Sequence, residues 1–132
     1  SMAKDSVFNA GSVIRKLCGL ELDDYDLHIN VIGGGNIDGP SAGLAISIAI
    51  YSVLNNKPLR QDVAVTGEIS IQGKVKPVGG VYEKIYGAKQ AGMVRVLIPD
   101  ANKKDVPIDL KGVEVIPVKT IEEAIGYLTD GN

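Results

Sequence analysis

Residues 38–55 read DGPSAGLAISIAIYSVLN, and this stretch decides the fold. From Leu44 to Leu54, apolar side chains recur at helical spacing and nearly surround the helix axis, the pattern of a helix buried in a core. The apolar run from Ala42 to Leu54 is 13 residues long and contains two serines, whereas a membrane span needs about 20 apolar residues. The stretch therefore predicts a buried central helix and no membrane segment.

Strand and helix patterns alternate on both sides of this central helix. Upstream, helical spacing predicts a helix over 6–18, and a two-residue alternation predicts a strand over 27–32. Downstream, the patterns predict two hairpin strands, at 63–71 and around Val75, and then a helix over 81–91. Two further strands, over 95–98 and 113–118, and a last helix over 120–128 follow. The fold class is therefore mixed α/β (α+β), with helices packed on a sheet.

Several residues mark the boundaries of these elements. Gln72 and Gly73 predict the hairpin turn, and Gly92 predicts the end of the helix over 81–91. Thr120 and Glu123 form a capping pair at the start of the last helix.

Length and composition limit the possible functions. A chain of 132 residues that is 45% hydrophobic fits one domain with one real core, so residues 1–132 are predicted to be a single domain. Fourteen basic residues nearly balance sixteen acidic ones without a basic stripe, which argues against direct nucleic-acid binding. The single cysteine, Cys18, cannot form an internal disulfide, and no secretory signal opens the sequence. A cytoplasmic setting is expected.

The hexapeptide DGPSAG (38–43) carries the first sign of chemistry. It puts the Ser41 hydroxyl at the first turn of a helix, where unpaired N–H groups and the positive end of the dipole favour negative charge. Two interpretations fit: Ser41 caps the helix, or Ser41 is a nucleophile beside its oxyanion site.

A nucleophilic serine needs a base, and the sequence offers two candidates. His28 is the sole histidine, and a lone histidine on a strand is more often packed or solvated than catalytic. Lys84 follows the Gly79–Gly80 pair by about one helical turn, and a desolvated lysine can act as the base. Lys84 could equally be a solvent-facing neighbour of Glu83, and periodicity does not decide between these roles.

Three segments taken together resemble the catalytic core of the Lon protease family. They are DGPSAG (38–43), VTGEI (65–69) and PVGGVYEK (77–84), which fit the family's motifs in order and spacing. The flanks, 2–32 and 98–128, also look like the family, so the resemblance spans almost the whole chain. It implies the fold of a Lon proteolytic domain, similar to the second domain of ribosomal protein S5.

The resemblance also implies site residues and a reaction. By motif position, Ser41 corresponds to the nucleophile and Lys84 to its general base, while Thr66 corresponds to a threonine that helps to hold the lysine. Asp38 matches an acidic position with a supporting or occluding part. The implied function is a serine endopeptidase that degrades unfolded or regulatory proteins through a Ser-Lys dyad and an acyl-enzyme, with helix N–H groups near Ser41 stabilising the oxyanion.

The resemblance to Lon proteases, which are ATP-driven, also implies an ATPase motor outside this domain. The nearest match to a Walker A loop, 67–74, has five residues between its glycines instead of four and then Val75 instead of Ser or Thr. No cofactor is therefore expected in this domain, with ATP and Mg expected only for an absent ATPase module. The family domain's first strands are likewise expected to be absent, and a hexameric ring is expected in the full protein.

Two alternatives come from other classes of protein. A catalytically silent Lon-like scaffold, similar to the domain in RadA-type DNA repair proteins, would serve oligomerisation or partner binding, but those domains lack the serine and the lysine. A nucleotide-binding module at the loop 33–39 fits poorly, because its glycines miss both the dinucleotide and the P-loop spacing. Both bacterial and membrane-anchored archaeal branches share the dyad, so the branch stays open.

Overall fold

The computed structural model describes residues 43–129. In this part of the chain the elements are, in order, α1 (Gly43–Asn55), β1 (Val63–Val65), β2 (Glu68–Ile69), β3 (Val75–Lys76), α2 (Val81–Gln90), β4 (Arg95–Pro99), a 3-10 helix (Asp100–Asp105), β5 (Glu114–Val118) and α3 (Ile121–Thr129). The predicted helix over 6–18 and strand over 27–32 lie outside the described residues. The mixed α/β class is confirmed.

The main sheet is parallel and has three strands in the order β1-β4-β5. Its register pairs Val65 with Leu97 and Leu97 with Ile116. A separate antiparallel pair joins β2 to β3, with Ile69 opposite Val75. Parallel strands bury both faces, and the side chains of these strands are accordingly apolar, apart from the ion pair of Arg95 and Glu114 where β4 and β5 begin.

Helices cover both faces of the parallel sheet. Alternate residues of each strand point to opposite sides, so the sheet divides the interior in two. Helices α1 and α3 pack on one face, in a core that includes Val63, Leu97 and Val118. Helix α2 packs on the other face, against Ala64, Val96 and Ile98.

The structure corrects the single strand predicted over 63–71. The strand breaks after Val65, where Thr66 still donates its N–H to the Leu97 carbonyl at 3.0 Å and Gly67 then leaves the sheet. Gly67 has φ of 154°, and its carbonyl turns to accept from the Leu44 N–H at the start of α1, at 3.0 Å. The predicted strand is therefore two strands: β1 belongs to the parallel sheet, and only β2 belongs to the predicted hairpin.

The predicted turns and helix ends are confirmed. The hairpin turns at Gly73, which donates to Ser70 and has φ of 83°. Helix α2 stops where Gly92 has φ of 82°, with the Gly92 N–H donating to Lys89 and the next N–H to Ala88, the two bonds of a Schellman motif. The Thr120 hydroxyl accepts from the Glu123 N–H at 3.2 Å and caps α3.

Helix α1 is buried over its first two turns, as its sequence predicts, whereas Val53 near its end is 71% exposed. Leu44 is fully buried, and Ile46, Ile48 and Ile50 are nearly so. None of the helices within residues 43–129 has the length and apolar character needed to cross a membrane.

Candidate active site

Three segments of the chain meet at the carboxyl edge of the parallel sheet. Thr66 follows the end of β1, and Asn102 lies just past the end of β4. The Asn102 side chain bonds to the backbone of Val78, which brings the start of α2 to the same edge. The carboxyl ends of parallel strands are where ligands bind in α/β sheets, so this edge is the candidate site.

The start of α1 is joined directly to the segment 65–69. The Leu44 N–H donates to the Gly67 carbonyl, and a Cβ on Gly43 would approach the Ile69 nitrogen to 3.1 Å. This close approach requires the glycine that ends the hexapeptide DGPSAG. Because the Leu44 N–H already has an acceptor, it is not free to serve as an oxyanion donor.

Thr66 lies at the end of β1 on the side that α2 covers. Ala64 packs against the α2 core, and the two-residue alternation of a strand puts Thr66 on the same face. Thr66 is buried, with 5% of its surface exposed. The Thr66 hydroxyl is therefore largely removed from solvent.

Lys84 belongs to the first turn of α2. Its backbone N–H donates to Gly80 at 3.1 Å, and Gly80 itself has φ of 70°, which favours glycine. The side chain is half-buried, and this burial lowers the pKa of Lys84 below its ordinary value of 10.5. Burial disfavours the charged ammonium, so it moves Lys84 in the direction that a general base requires.

Thr66, just after β1, and Lys84, in the first turn of α2, therefore both lie near the carboxyl edge of the sheet. Within residues 43–129, the structure shows no hydrogen bond between the Thr66 hydroxyl and the Lys84 amine. The predicted residues Ser41, Asp38 and His28 lie outside the described residues. Among residues 43–129, no group of three or more His, Cys, Asp or Glu side chains could hold a metal ion.

A groove of about 610 Å³ opens beside the start of α2. One wall is the segment 78–83, and the other is the segment 104–108 that follows the 3-10 helix. Lys84 is not among the lining residues. The groove thus borders the helix that carries Lys84 without containing its side chain.

Asn102 is a residue of this edge that the sequence patterns did not reveal. It is buried, at 5% exposure, and its amide bonds to both polar backbone groups of Val78. The two residues are 24 positions apart, and no local periodicity links an asparagine after a strand to a loop so far upstream.

The amino-acid sequence of the chain matches a known family. The family model for the Lon protease (S16) C-terminal proteolytic domain matches residues 2–129. The chain belongs to the Lon protease family. The Lon-type resemblance of the three quoted segments is thereby confirmed, and with it the assignment of the chain to a serine peptidase family.

Individual Lon proteases are similar along nearly the whole chain. Lon protease 2 of Bacillus subtilis is 48% identical over 125 residues, which are 95% of this chain and 22% of that protein. The archaeal Lon protease of Thermococcus kodakarensis is 38% identical over 135 residues, which are 98% of this chain and 21% of that protein. The archaeal Lon protease of Thermoplasma acidophilum is also 38% identical, over 94% of this chain and 20% of that protein. The chain thus spans about a fifth of the length of these relatives.

Proposed function

We propose that this chain is the proteolytic domain of an ATP-dependent Lon-type endopeptidase, with Ser41 as the nucleophile and Lys84 as its general base. The observation that carries the proposal is the position of Lys84: half-buried in the first turn of α2, at the sheet edge where α1 begins two residues after Ser41. Burial lowers the pKa of Lys84, which supports a neutral amine as the proton acceptor.

The reaction is acyl transfer to the serine. Lys84 takes the proton of the Ser41 hydroxyl, and the Ser41 oxygen attacks the scissile carbonyl to form an ester as the peptide amine leaves with a proton. Water then hydrolyses the ester and restores Ser41. The Leu44 N–H is already bonded to Gly67, so the oxyanion would be stabilised by other donors around the start of α1.

Thr66 and Asp38 have supporting roles in this proposal. Thr66 is buried at the end of β1 on the α2 side, which suits a hydroxyl that orients the Lys84 amine. Asp38 lies in the hexapeptide that carries Ser41, where it would support or occlude the nucleophile.

The full protein would supply what a proteolytic domain does not. We propose that unfolded polypeptides are the substrates, that a motor using ATP and Mg delivers them, and that the protein assembles as a hexameric ring. The chain matches only about a fifth of the length of its relatives, for example 22% of Bacillus subtilis Lon protease 2, so most of each relative lies outside the matched domain. A motor would fit in that remainder. A cytoplasmic setting is consistent with the single cysteine, Cys18.

Cleavage of an unfolded protein such as casein tests the assignment. We expect Ser41→Ala and Lys84→Ala to abolish cleavage while the melting temperature stays within a few degrees of the parent. Thr66→Val should lower kcat about 10- to 100-fold through loss of orientation, and Thr66→Ser should restore most of it. Full activity in Ser41→Ala or Lys84→Ala would exclude the dyad, whereas a parent chain that cleaves nothing would favour the scaffold role instead.

A further inference from the structure

The Asn102 side chain holds the backbone of the loop that leads into α2. Its Oδ1 accepts from the Val78 N–H at 3.0 Å, and its Nδ2 donates to the Val78 carbonyl at 2.9 Å. The Asn102 amide thus makes the same pair of hydrogen bonds with the Val78 backbone that a residue of a neighbouring β-strand would make. Because the bonds are largely buried, they are protected from competition with water.

The orientation of the Asn102 amide is itself fixed. The second proton of Nδ2 donates to Asp105 Oδ2 at 2.9 Å. A carboxylate accepts but does not donate, so Asp105 requires the nitrogen, and not the oxygen, on its side. The oxygen of Asn102 is thereby directed to the Val78 N–H.

The Val78 side chain packs against the core under α2, but the two residues that follow it in this loop are glycines. Val78 precedes Gly79 and Gly80, and a Cβ on Gly79 would meet no atom within 4 Å. Gly80 is the N-cap of α2, and no side chain caps the helix there. Glycines permit many backbone directions, so an external contact must select the one from which α2 departs.

We propose that Asn102 is a positioning residue of the proteolytic site, which holds Val78 by both of its polar backbone groups and so fixes where α2 begins and where Lys84 stands. The link is short, because the Lys84 N–H is bonded to Gly80, two residues after Val78. The inference rests on the proposed role of Lys84 as the general base. Asn102 does not touch the substrate; it acts through the helix.

Two variants of Asn102 separate positioning from simple stability. Asn102→Ala removes all three side-chain bonds, whereas Asn102→Asp keeps the size and one acceptor but cannot donate to Val78 or Asp105. Leu128→Ala is the matched control, because Leu128 is buried in α3 on the opposite face of the sheet and its loss lowers stability without touching α2. Each variant is compared with the parent in casein cleavage and in backbone amide hydrogen exchange.

We expect both Asn102 variants to lower kcat about 10- to 100-fold, with KM changed much less, because a small displacement of a catalytic group has an effect of that size. The Lys84 amide should exchange about tenfold faster or more in both, and remain protected in Leu128→Ala. Asn102 variants that match Leu128→Ala in kcat and in Lys84 exchange would overturn the proposal.

Hydrogen exchange does not depend on catalysis. The role of Lys84 as base and the role of Asn102 as positioning residue can therefore be disproved independently. An active Lys84→Ala variant would show that Lys84 is not the base, and the contact between Asn102 and Val78 would then have no role in positioning a base. An inert Lys84→Ala together with unaffected Asn102 variants would leave the base in place and remove only the positioning role.

Discussion

Burial of the Lys84 side chain disfavours its charged ammonium form. The folded state lowers the pKa of Lys84 from the ordinary value of 10.5, and burial is the cause. Between the lowered pKa and 10.5 the unfolded chain therefore binds more protons at this residue than the folded chain does. The contribution of Lys84 to folding stability consequently rises with pH through that window.

Substitution of Lys84 by methionine tests this sign. Methionine is unbranched and only one atom shorter than lysine, and it has no charge to desolvate. We expect Lys84→Met to unfold at the same or a higher temperature than the parent at pH 7, although it has lost activity. Thermal unfolding from pH 7 to 11 should show this advantage shrinking and disappearing above about pH 10.5. A Lys84→Met variant that is less stable than the parent at pH 7 would show that the charged form is favoured by the fold.

At the residue scale, a sequence motif can single out a residue, whereas a contact between distant segments leaves no local pattern. Lys84 and Thr66 were singled out by their segments, 77–84 and 65–69, and their catalytic roles stay predictions. Asn102 was not singled out. Its function depends on Val78, and that contact exists only after β4 and the start of α2 are brought together.

At the scale of elements, the junction between α1 and the end of β1 is closely packed around a glycine. Gly67 sits in it with φ of 154°, and a Cβ there would approach Val75 Cγ1 to 3.0 Å and Leu44 Cδ2 to 3.2 Å. A Cβ at this position would therefore require the Val75 and Leu44 side chains to shift by a few tenths of an ångström, in addition to the strain of the positive φ.

Two glycine substitutions should have opposite effects. Gly67→Ala should lower the free energy of unfolding by about 1–3 kcal/mol, from backbone strain and overpacking. Gly87→Ala should raise it by about 0.5–1 kcal/mol, because Gly87 is an exposed position inside α2 with no atom within 4 Å of a new Cβ. Urea unfolding measures both. A Gly67→Ala variant as stable as the parent would mean that this junction yields easily.

The elements themselves were largely predictable, and their pairing was not. Gly92 and Thr120 mark helix boundaries through local chemistry, so those boundaries agree with the sequence to within about a residue. The break at Thr66 and Gly67 was missed, because β-branched residues on both sides of it look like one strand. The order β1-β4-β5 depends on contacts between distant segments, which periodicity does not encode.

At the scale of the whole described chain, one sheet holds two cores together. The core under α1 and α3 and the core under α2 share the strands β1 and β4, with Leu97 on one side and Val96 and Ile98 on the other. Because a strand cannot lose one face and keep the other, both cores should melt together.

We expect Leu128→Ala and Ile85→Ala, one in each core, to shift a single common unfolding transition. Each substitution should cost about 2–5 kcal/mol, the usual range for removal of a buried aliphatic side chain. Calorimetry and circular dichroism should give coincident transitions for both variants. Two separate transitions in either variant would contradict the prediction that the chain is a single domain.

The central claim is that a neutral Lys84 activates Ser41, and covalent labelling tests it most directly. A peptidyl sulfonyl fluoride reacts with an activated serine oxygen, which displaces fluoride and forms a sulfonate ester. Intact-mass and peptide mapping should find one adduct on Ser41, formed faster as pH rises toward the lowered pKa of Lys84, and no adduct in Lys84→Ala. Labelling at another residue, or equal labelling of Ser41 in Lys84→Ala, would contradict the account.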